Sequence, residues 1–301
     1  MDDRYNIDKR QLRNSFERAA AGYDQAAVLQ REVCERMLSR LDYIKVAPAV
    51  ILDAGSGTGY GSRKLTVRYP TAEILAIDIA SAMHLQAHAV IPWWRRLLSL
   101  SSLMRTSHAA YVCGDIEALP LKNSCIGMVW SNLALQWCND LERAFAEAHR
   151  VLQDGGLFMF STFGPDTLKE LRQAFSGDNY NHINRFTDMH DIGDMLVQSG
   201  FSTPVMDMEN ITLTYDNVIG VMRDLKAIGA HNVTQGRQRG LTGKHAWQKA
   251  ISRYEALRSQ GNGKGKLPAT FEVVYGHAWK HQSSPAHKMP DGKQIIHLIR
   301  T

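Results

Sequence analysis

Short apolar runs alternate with amphipathic stretches along most of this chain. The run VAPAVILDAG at residues 46–55 ends in aspartate and glycine, which is typical of a buried parallel strand followed by a tight turn. Similar runs predict strands over 74–77, 109–113, 126–131 and 156–163, and helical spacing predicts helices over 59–69, 80–90 and 139–152. Strands that alternate with helices imply a parallel sheet covered on both faces.

The two ends of the chain follow a different pattern. Residues 8–42 have helical spacing that is interrupted at about residues 19–22. After about residue 165 the strand–helix alternation weakens. Helices are predicted there over 188–200, 216–229 and 244–259, and strands over 205–215 and 271–280.

Composition indicates a folded chain with an uneven charge. The 301 residues are 44% hydrophobic and 22% charged, which excludes global disorder. The net charge is +5, but residues 1–219 hold 21 basic and 26 acidic residues, whereas residues 220–301 hold 14 basic and 4 acidic ones. The excess favours an acidic partner for the C-terminal third, with a solvated basic face as the alternative.

Several classes of protein are not indicated. The four cysteines have no zinc-ligand spacing, no metal site is predicted, and Cys113 is expected to be an ordinary buried thiol. No run reaches 18 apolar residues, so no membrane span is predicted. The first residues do not resemble a secretory signal, and we therefore expect a reducing, cytoplasmic setting.

A glycine-rich turn follows the first predicted strand. Gly55, Gly57 and Gly59 allow a tight turn and close approach of a ligand to the backbone. In the dinucleotide-binding fingerprint the third glycine comes one residue later, where this chain has Tyr60. The spacing, with Asp53 two residues before the first glycine, resembles motif I of class I S-adenosylmethionine (SAM)-dependent methyltransferases. A purely structural glycine turn is the alternative.

Polar residues stand at the ends of the next three predicted strands, at the edge where open α/β sheets bind ligands. Asp78 is placed to accept hydrogen bonds from both ribose hydroxyls. The resemblance implies that Asp115 meets the adenine amino group and that Asn132 lies near the methionine part of SAM. Ordinary turn residues are the alternative at each position. The predicted cofactor-binding residues are Asp53, Gly55, Gly57, Gly59, Asp78, Ile79, Asp115, Ile116, Asn132 and Leu133.

Longer stretches carry a more specific resemblance. SFERAAAGYDQAAVLQ (15–30), SNLALQW (131–137), VMRDLKAIGAHN (221–232) and LPATFEVVYGHAW (267–279) resemble the malonyl-acyl-carrier-protein O-methyltransferases of biotin synthesis. The resemblance runs from about residue 9 to 280. Two features depart from it. Residues 91–108 are longer than expected, and Ile126-Gly127 replaces a usual Phe-Asp pair.

The resemblance implies a Rossmann-like class I methyltransferase fold, with a mostly parallel seven-stranded sheet and helices on both faces. Residues 1–45 would form an N-terminal helical lid. Residues 46–280 would form the core, with insertions at 91–108 and about 177–260, and residues 281–301 a tail.

The implied reaction moves the methyl group of SAM to the free carboxylate of a malonyl thioester and leaves S-adenosylhomocysteine (SAH). A carboxylate with an ordinary pKa of roughly 4 is already ionised at neutral pH, so no general base is needed. Arg223 is the first candidate for the cation that orients it, and Arg185 is the second. Tyr23 resembles the tyrosine of the family's lid over SAM. Gln136 and Trp137 are candidates for the acceptor pocket.

Malonyl-acyl carrier protein is the implied partner, with malonyl-coenzyme A as a possible substitute. Arg95, Arg96, Arg237 and Arg239 are candidates for a surface that docks this acidic protein. One alternative is a methyltransferase acting on another small acid or a quinone precursor. Another is an RNA-modifying methyltransferase, but no RNA-binding motif is recognisable, and Asn132 is followed by Leu-Ala-Leu rather than a base-reading tetrapeptide. We therefore expect neither a nucleic acid nor a membrane as a partner.

Overall fold

The computed structural model describes residues 6–90, 109–176, 184–228, 234, 244–260 and 265–281. These residues build one sheet with the order β3-β2-β1-β4-β5-β7-β6. Its strands are β1 (Val50–Ala54), β2 (Glu73–Asp78), β3 (Ala110–Cys113), β4 (Ile126–Asn132), β5 (Leu152–Phe163), β6 (Phe201–Tyr215) and β7 (Leu267–Lys280).

The pairing brings the ends of the central strands to one edge. Strands β3, β2, β1, β4 and β5 are parallel neighbours, whereas β7 pairs antiparallel with both β5 and β6. Ala54 lies beside Ile77, Asp78 beside Cys113, and Asn132 beside Ser161. The predicted polar residues therefore meet along the carboxyl edge of the sheet.

Helices cover the sheet as predicted. The described helices are α1 (Lys9–Ala19), α2 (Tyr23–Ala26), α3 (Val28–Arg40), α4 (Tyr60–Arg68), α5 (Ser81–Ala89), α6 (Leu141–Val151), α7 (Lys169–Ala174), α8 (Met189–Gln198), α9 (Val218–Ala227) and α10 (Lys244–Glu255). Side-chain caps begin several of them. Asp8 accepts from the Gln11 amide at 3.1 Å, and Asp140 accepts from the Arg143 amide at 2.9 Å.

The core lies on both faces of the sheet. On β4, Trp130 joins a cluster with Val33 and Leu65, while the adjacent Val129 joins a cluster with Phe145 on the opposite face. Successive strand residues point to opposite faces, so a strand buried on both sides must be apolar throughout. The structure confirms the predicted α/β fold with a mostly parallel seven-stranded sheet.

The N-terminal helical region is interrupted where its sequence predicts. Helix α1 ends at Ala19, a 3₁₀ turn spans Ala20–Gly22, and α2 and α3 follow. Ala20 packs with Ala80 and Met83, beside the start of α5. This interruption lets the region change direction above the carboxyl edge of the sheet.

Two expectations need correction. The interval of about 177–260, predicted as an insertion, contains β6, which hydrogen-bonds to β7 along its length and is part of the sheet. Cys113 is exposed rather than buried, because β3 is the edge strand of the described sheet and pairs there with β2 alone. The 91–108 insertion and residues 282–301 of the predicted tail lie outside the described residues, and the division into lid, core and tail stays a prediction.

In the described ranges, no helix combines the length and the apolar character that crossing a membrane requires. In the same ranges, no three His, Cys, Asp or Glu side chains converge to hold a metal ion.

Candidate active site

A cleft lies at the carboxyl edge of the sheet, under the N-terminal helices. Its space is about 770 Å³ when the part that is open to solvent is included. It is lined by eight of the ten predicted cofactor residues, Gly55, Gly57, Asp78, Ile79, Asp115, Ile116, Asn132 and Leu133. Tyr23, Gln136 and Trp137 line it as well. The structure thus brings together residues separated by more than 100 positions in the sequence.

The glycine turn has a backbone that larger residues do not fit. Gly55 has a φ of +80°, and a Cβ there would lie 2.2 Å from the Cβ of Ala134. Gly59 has a φ of +76°, and its Cβ would lie 2.9 Å from the Tyr111 hydroxyl. The positive φ and the missing space together explain why these positions are glycine. Gly59 itself lies behind the cleft rather than on its lining.

Asp53 lies beneath this turn and not in the main cleft. It is almost fully buried, and the Ser62 hydroxyl donates a hydrogen bond to its Oδ2 at 2.6 Å. Burial raises the pKa of Asp53 to about 6, and the nearby Asp78 carboxyl adds to the rise. Asp53 lines a smaller adjoining cavity together with Ser56 and Tyr60. Its position suits support of the glycine turn.

Asp78 joins the second strand to the glycine turn. Its Oδ2 accepts from the Gly57 amide and its Oδ1 from the Ala80 amide, both at 2.9 Å. Burial raises the pKa of Asp78 to about 6, although these backbone hydrogen bonds act in the opposite direction. The carboxyl group is therefore ionised at neutral pH and available to accept hydroxyl protons from a ligand.

Asp115 is contacted by a residue that sequence reasoning missed. Lys9, in the first turn of α1, donates to its Oδ1 at 3.1 Å and also pairs with Glu117. Burial alone would lower the pKa of Lys9, but the neighbouring Cys138, Glu117 and Asp115 raise it above its ordinary value. A partner 106 positions away leaves no local pattern in the sequence. The ion pair fastens α1 across one end of the cleft.

Asn132 links helix α3 to the sheet. Its Nδ2 donates to the backbone oxygen of Gln30 at 2.9 Å, and its Oδ1 accepts from the Ser161 hydroxyl at 3.0 Å. Both ends of the amide are thus engaged within the protein. Asn132 still borders the cleft, but these contacts orient α3 against the sheet.

Gln30 is the second residue that sequence reasoning missed. It lines both the main cleft and the smaller adjoining cavity. Its Oε1 is buried and has no hydrogen-bond partner among the described residues. A buried acceptor without a partner carries a free-energy cost of about 1–3 kcal/mol, which a donor group on a ligand would relieve. A single glutamine within a helix is not a recognisable motif.

Tyr23 and Glu17 fasten the N-terminal helices beside the cleft. Tyr23 lies against the glycine turn, where a Cβ on Gly57 would be 3.9 Å from its ring, and burial raises its pKa. Glu17 accepts from the Ser81 amide and hydroxyl at 2.8 and 3.0 Å and from the Ala82 amide at 2.9 Å. These hydrogen bonds at the start of α5 lower the pKa of Glu17 despite some burial.

The two predicted arginines lie elsewhere. Arg223 is exposed and lines a separate groove on the outer side of the lid. Arg185 is also exposed; its neighbour Phe186 packs on Phe163 with ring centroids 5.7 Å apart, and Phe163 lines the cleft. Neither arginine is among the described residues that line the cleft, so their roles stay predictions. The docking candidates Arg95, Arg96, Arg237 and Arg239 lie outside the described residues.

The sheet order and the glycine turn after β1 define a class I methyltransferase fold. A family described as a methyltransferase domain matches residues 52–160. The crystal structure of the YcgJ protein from Bacillus subtilis has a similar fold, with a TM-score of 0.57 at 13% identity over 84% of this chain and 100% of that one.

Full-length relatives define the family more narrowly. Malonyl-acyl-carrier-protein O-methyltransferase of Nitrosospira multiformis is 67% identical over 297 residues, which are 97% of this chain and 95% of the relative. The protein of that name from Gallionella capsiferriformans is 58% identical over 292 residues, 96% of each chain. The chain belongs to the malonyl-acyl-carrier-protein O-methyltransferase family. This confirms the resemblance found in the sequence and the prediction of a methyltransferase.

Proposed function

We propose that this chain transfers the methyl group of SAM to the free carboxylate of a malonyl group held as a thioester by an acyl carrier protein. The carboxylate oxygen forms the new C–O bond, the C–S bond of the sulfonium breaks, and its electron pair stays on sulfur. The products are the malonyl methyl ester and SAH, which places the reaction early in biotin synthesis. The near-full-length identity of 67% to a relative with this printed activity carries the proposal.

The cleft suits SAM along its length. In this proposal Asp78 accepts from the ribose hydroxyls, Asp115 accepts from the adenine amino group, and Ile79 and Ile116 flank the adenine ring. Gln30 accepts from the ammonium of the methionine part through its Oε1. The unpartnered acceptor of Gln30 and the space that only glycine leaves at position 55 both support this orientation.

The remaining lining supplies a dry acceptor site. Leu12, Phe16, Trp137, Phe163 and Ile228 are apolar and border the same cleft. A carboxylate that enters here loses water and becomes a better nucleophile, and correct positioning can contribute up to ~7–11 kcal/mol. Bound SAM supplies the electrophilic methyl group. The protein has to position and desolvate the carboxylate, and no side chain has to remove a proton.

A cation that orients the carboxylate completes the proposal. Arg185 is the candidate for this role, because Phe186 beside it contacts Phe163 of the acceptor lining. Tyr23 is proposed to close over SAM from above the glycine turn. Arg223 faces the outer groove, and a different role for it is argued below.

One experiment compares acceptors. Purified protein is incubated with methyl-labelled SAM and, in parallel, malonyl-acyl carrier protein, malonyl-coenzyme A and free malonate. Label is expected in a methyl ester of the malonyl thioesters, released by mild ester hydrolysis, and absent from a carrier loaded with an acetyl group. Label in free malonate alone, or in an unrelated acceptor alone, would overturn the assignment. Asp78→Ala is the matched variant that should lose SAH binding and methyl transfer together.

A further inference from the structure

An open groove lies on the outer side of the lid, between the end of α1 with its following turn and helix α9. Three cations line it: Arg18 from α1, and Arg223 and Lys226 from α9. All three side chains are exposed. A Cβ on Gly22, which also lines the groove, would meet no atom within 4 Å, so this part of the groove is open to a ligand.

The three cations lack partners within the described part of the chain, whereas several other basic residues of this protein are paired. Arg40 pairs with Asp207 at 2.8 Å, and Arg150 pairs with Glu147 at 2.7 Å. The acids nearest to Arg223 in the sequence are otherwise engaged. Asp216 pairs with Lys266 at 3.4 Å, and Asp224 hydrogen-bonds with Tyr215. A groove with three unneutralised positive charges favours an anion.

This groove borders the active-site cleft. The α1 segment that supplies Arg18 also supplies Phe16 to the cleft, and Gly22 of the groove is followed by Tyr23 of the cleft. On the other side, Lys226 lines the groove and Ile228, two residues later, lines the cleft. The two spaces therefore share their walls, with the cations on the outer side.

We propose that Arg18, Arg223 and Lys226 bind the phosphate of the pantetheine arm that carries the malonyl thioester. The inference rests on the proposed function. A carrier protein presents its acyl group on an arm that is uncharged from the thioester to a phosphodiester at the far end. When the malonyl end lies in the cleft, the first anion along the emerging arm is this phosphate. Three cations that line one groove suit a single compact anion, whereas the acids of a protein surface are spread out.

Two small substrates measure the contribution of the phosphate to substrate binding. Malonyl-pantetheine and malonyl-4′-phosphopantetheine differ only in that group, and each is assayed with saturating SAM. We expect the phosphorylated substrate to have the lower KM with the unaltered protein. An exposed ion pair changes affinity by about 2- to 5-fold. A double variant with Arg18→Gln and Lys226→Gln should therefore raise the KM for malonyl-4′-phosphopantetheine by about 4- to 25-fold. The KM for malonyl-pantetheine and both kcat values should stay unchanged. Arg10→Gln, an exposed arginine of α1 outside the groove, is the matched control.

Arg223→Gln separates two roles. Binding of the phosphate predicts a higher KM for the phosphorylated substrate alone, whereas orientation of the carboxylate predicts a lower kcat with both substrates. A lower kcat with both would remove Arg223 from the phosphate site. The combined Arg18 and Lys226 variant overturns the whole inference if the KM for malonyl-4′-phosphopantetheine is unchanged. The same holds if only the KM for malonyl-acyl carrier protein rises. If the unaltered protein methylates malonyl-acyl carrier protein but shows the same KM for both small substrates or uses neither, the phosphate inference fails. If it methylates no malonyl thioester at all, the proposed function itself fails.

Discussion

Replacing Gln30 by leucine is expected to change ligand affinity and stability in opposite directions. Leucine fills nearly the same space but removes the buried Oε1, which has no partner among the described residues. The backbone oxygen that accepts from Asn132 at 2.9 Å is kept, so the anchoring of α3 persists. The substitution therefore removes the side-chain amide, Oε1 and Nε2 together, and leaves the backbone contact in place.

The expected changes in stability and in SAH affinity both follow from Gln30 Oε1, in the free protein and in the protein with SAH bound. Without ligand, an unpartnered buried acceptor costs about 1–3 kcal/mol, so Gln30→Leu should raise the free energy of unfolding by about 1 kcal/mol or more. With SAH bound, the variant loses a hydrogen bond to an ammonium group, which contributes about 1.5–3 kcal/mol. The Kd for SAH should then rise by about 10- to 150-fold.

Calorimetric titration with SAH measures the affinity, and chemical unfolding without ligand measures the stability. Gln25→Leu is the control, because Gln25 is exposed on α2 of the same lid and should alter neither quantity by much. An unchanged Kd for SAH would refute the assignment of Gln30 to the ammonium. A large loss of stability without ligand would show that Oε1 has a partner in the free protein.

Three further substitutions test the turn and the lid. The pKa of Asp53 is raised from 3.8 to about 6, so the ionisation of Asp53 destabilises the folded protein as pH rises through this range. Asp53→Asn should therefore raise the free energy of unfolding at pH 8 by up to ~3 kcal/mol. Near pH 4 the variant should show no such gain. Gly55→Ala places a Cβ 2.2 Å from that of Ala134 in a positive-φ conformation. Chemical unfolding should show a loss of about 2–5 kcal/mol in the free energy of unfolding. Gly22→Ala is the control and should be nearly neutral, because Gly22 has a φ of −106° and free space around it. Glu17→Gln should speed amide hydrogen exchange in α1 by about 2- to 5-fold at pH 7. Because the pKa of Glu17 is lowered, the unaltered protein should lose this protection as pH falls below about 4.5. Equal exchange in both proteins at pH 7 would show that Glu17 does not fasten α1.

Elements whose signal lies in neighbouring residues could be predicted from the sequence. Buried parallel strands such as β1 and β4 are continuous apolar runs, since side chains on both faces pack against helices. The turns after these strands need glycine or polar residues, so the sequence predicted that Gly55, Asp78 and Asp115 lie at one edge of the sheet. All three line the cleft at that edge. The fold and the meeting of these residues at one cleft therefore followed from local patterns, whereas their roles toward SAM stay predictions.

Features set by distant partners could not be predicted in this way. Lys9 meets Asp115 across 106 positions, and the role of Gln30 depends on which cavity α3 borders. The exposure of Cys113 depends on the position of β3 at the edge of the sheet, which the apolar character of its own residues does not indicate. Arg223 had the right chemistry for an anion, but its distance from the cleft depends on how α9 packs beside α1.

Helix α1 connects the two ends of the proposed reaction. Lys9 in its first turn contacts Asp115 on the adenine side, and Glu17 in its last turn caps the helix that follows Asp78. Arg18, the next residue, points into the outer groove proposed for the phosphate of the arm. If the proposed sites are correct, a methyl donor that contacts α1 from inside the cleft also holds a cation in place for the substrate outside it. Because such coupling is reciprocal, we expect a bound carrier arm in turn to tighten the binding of the methyl donor.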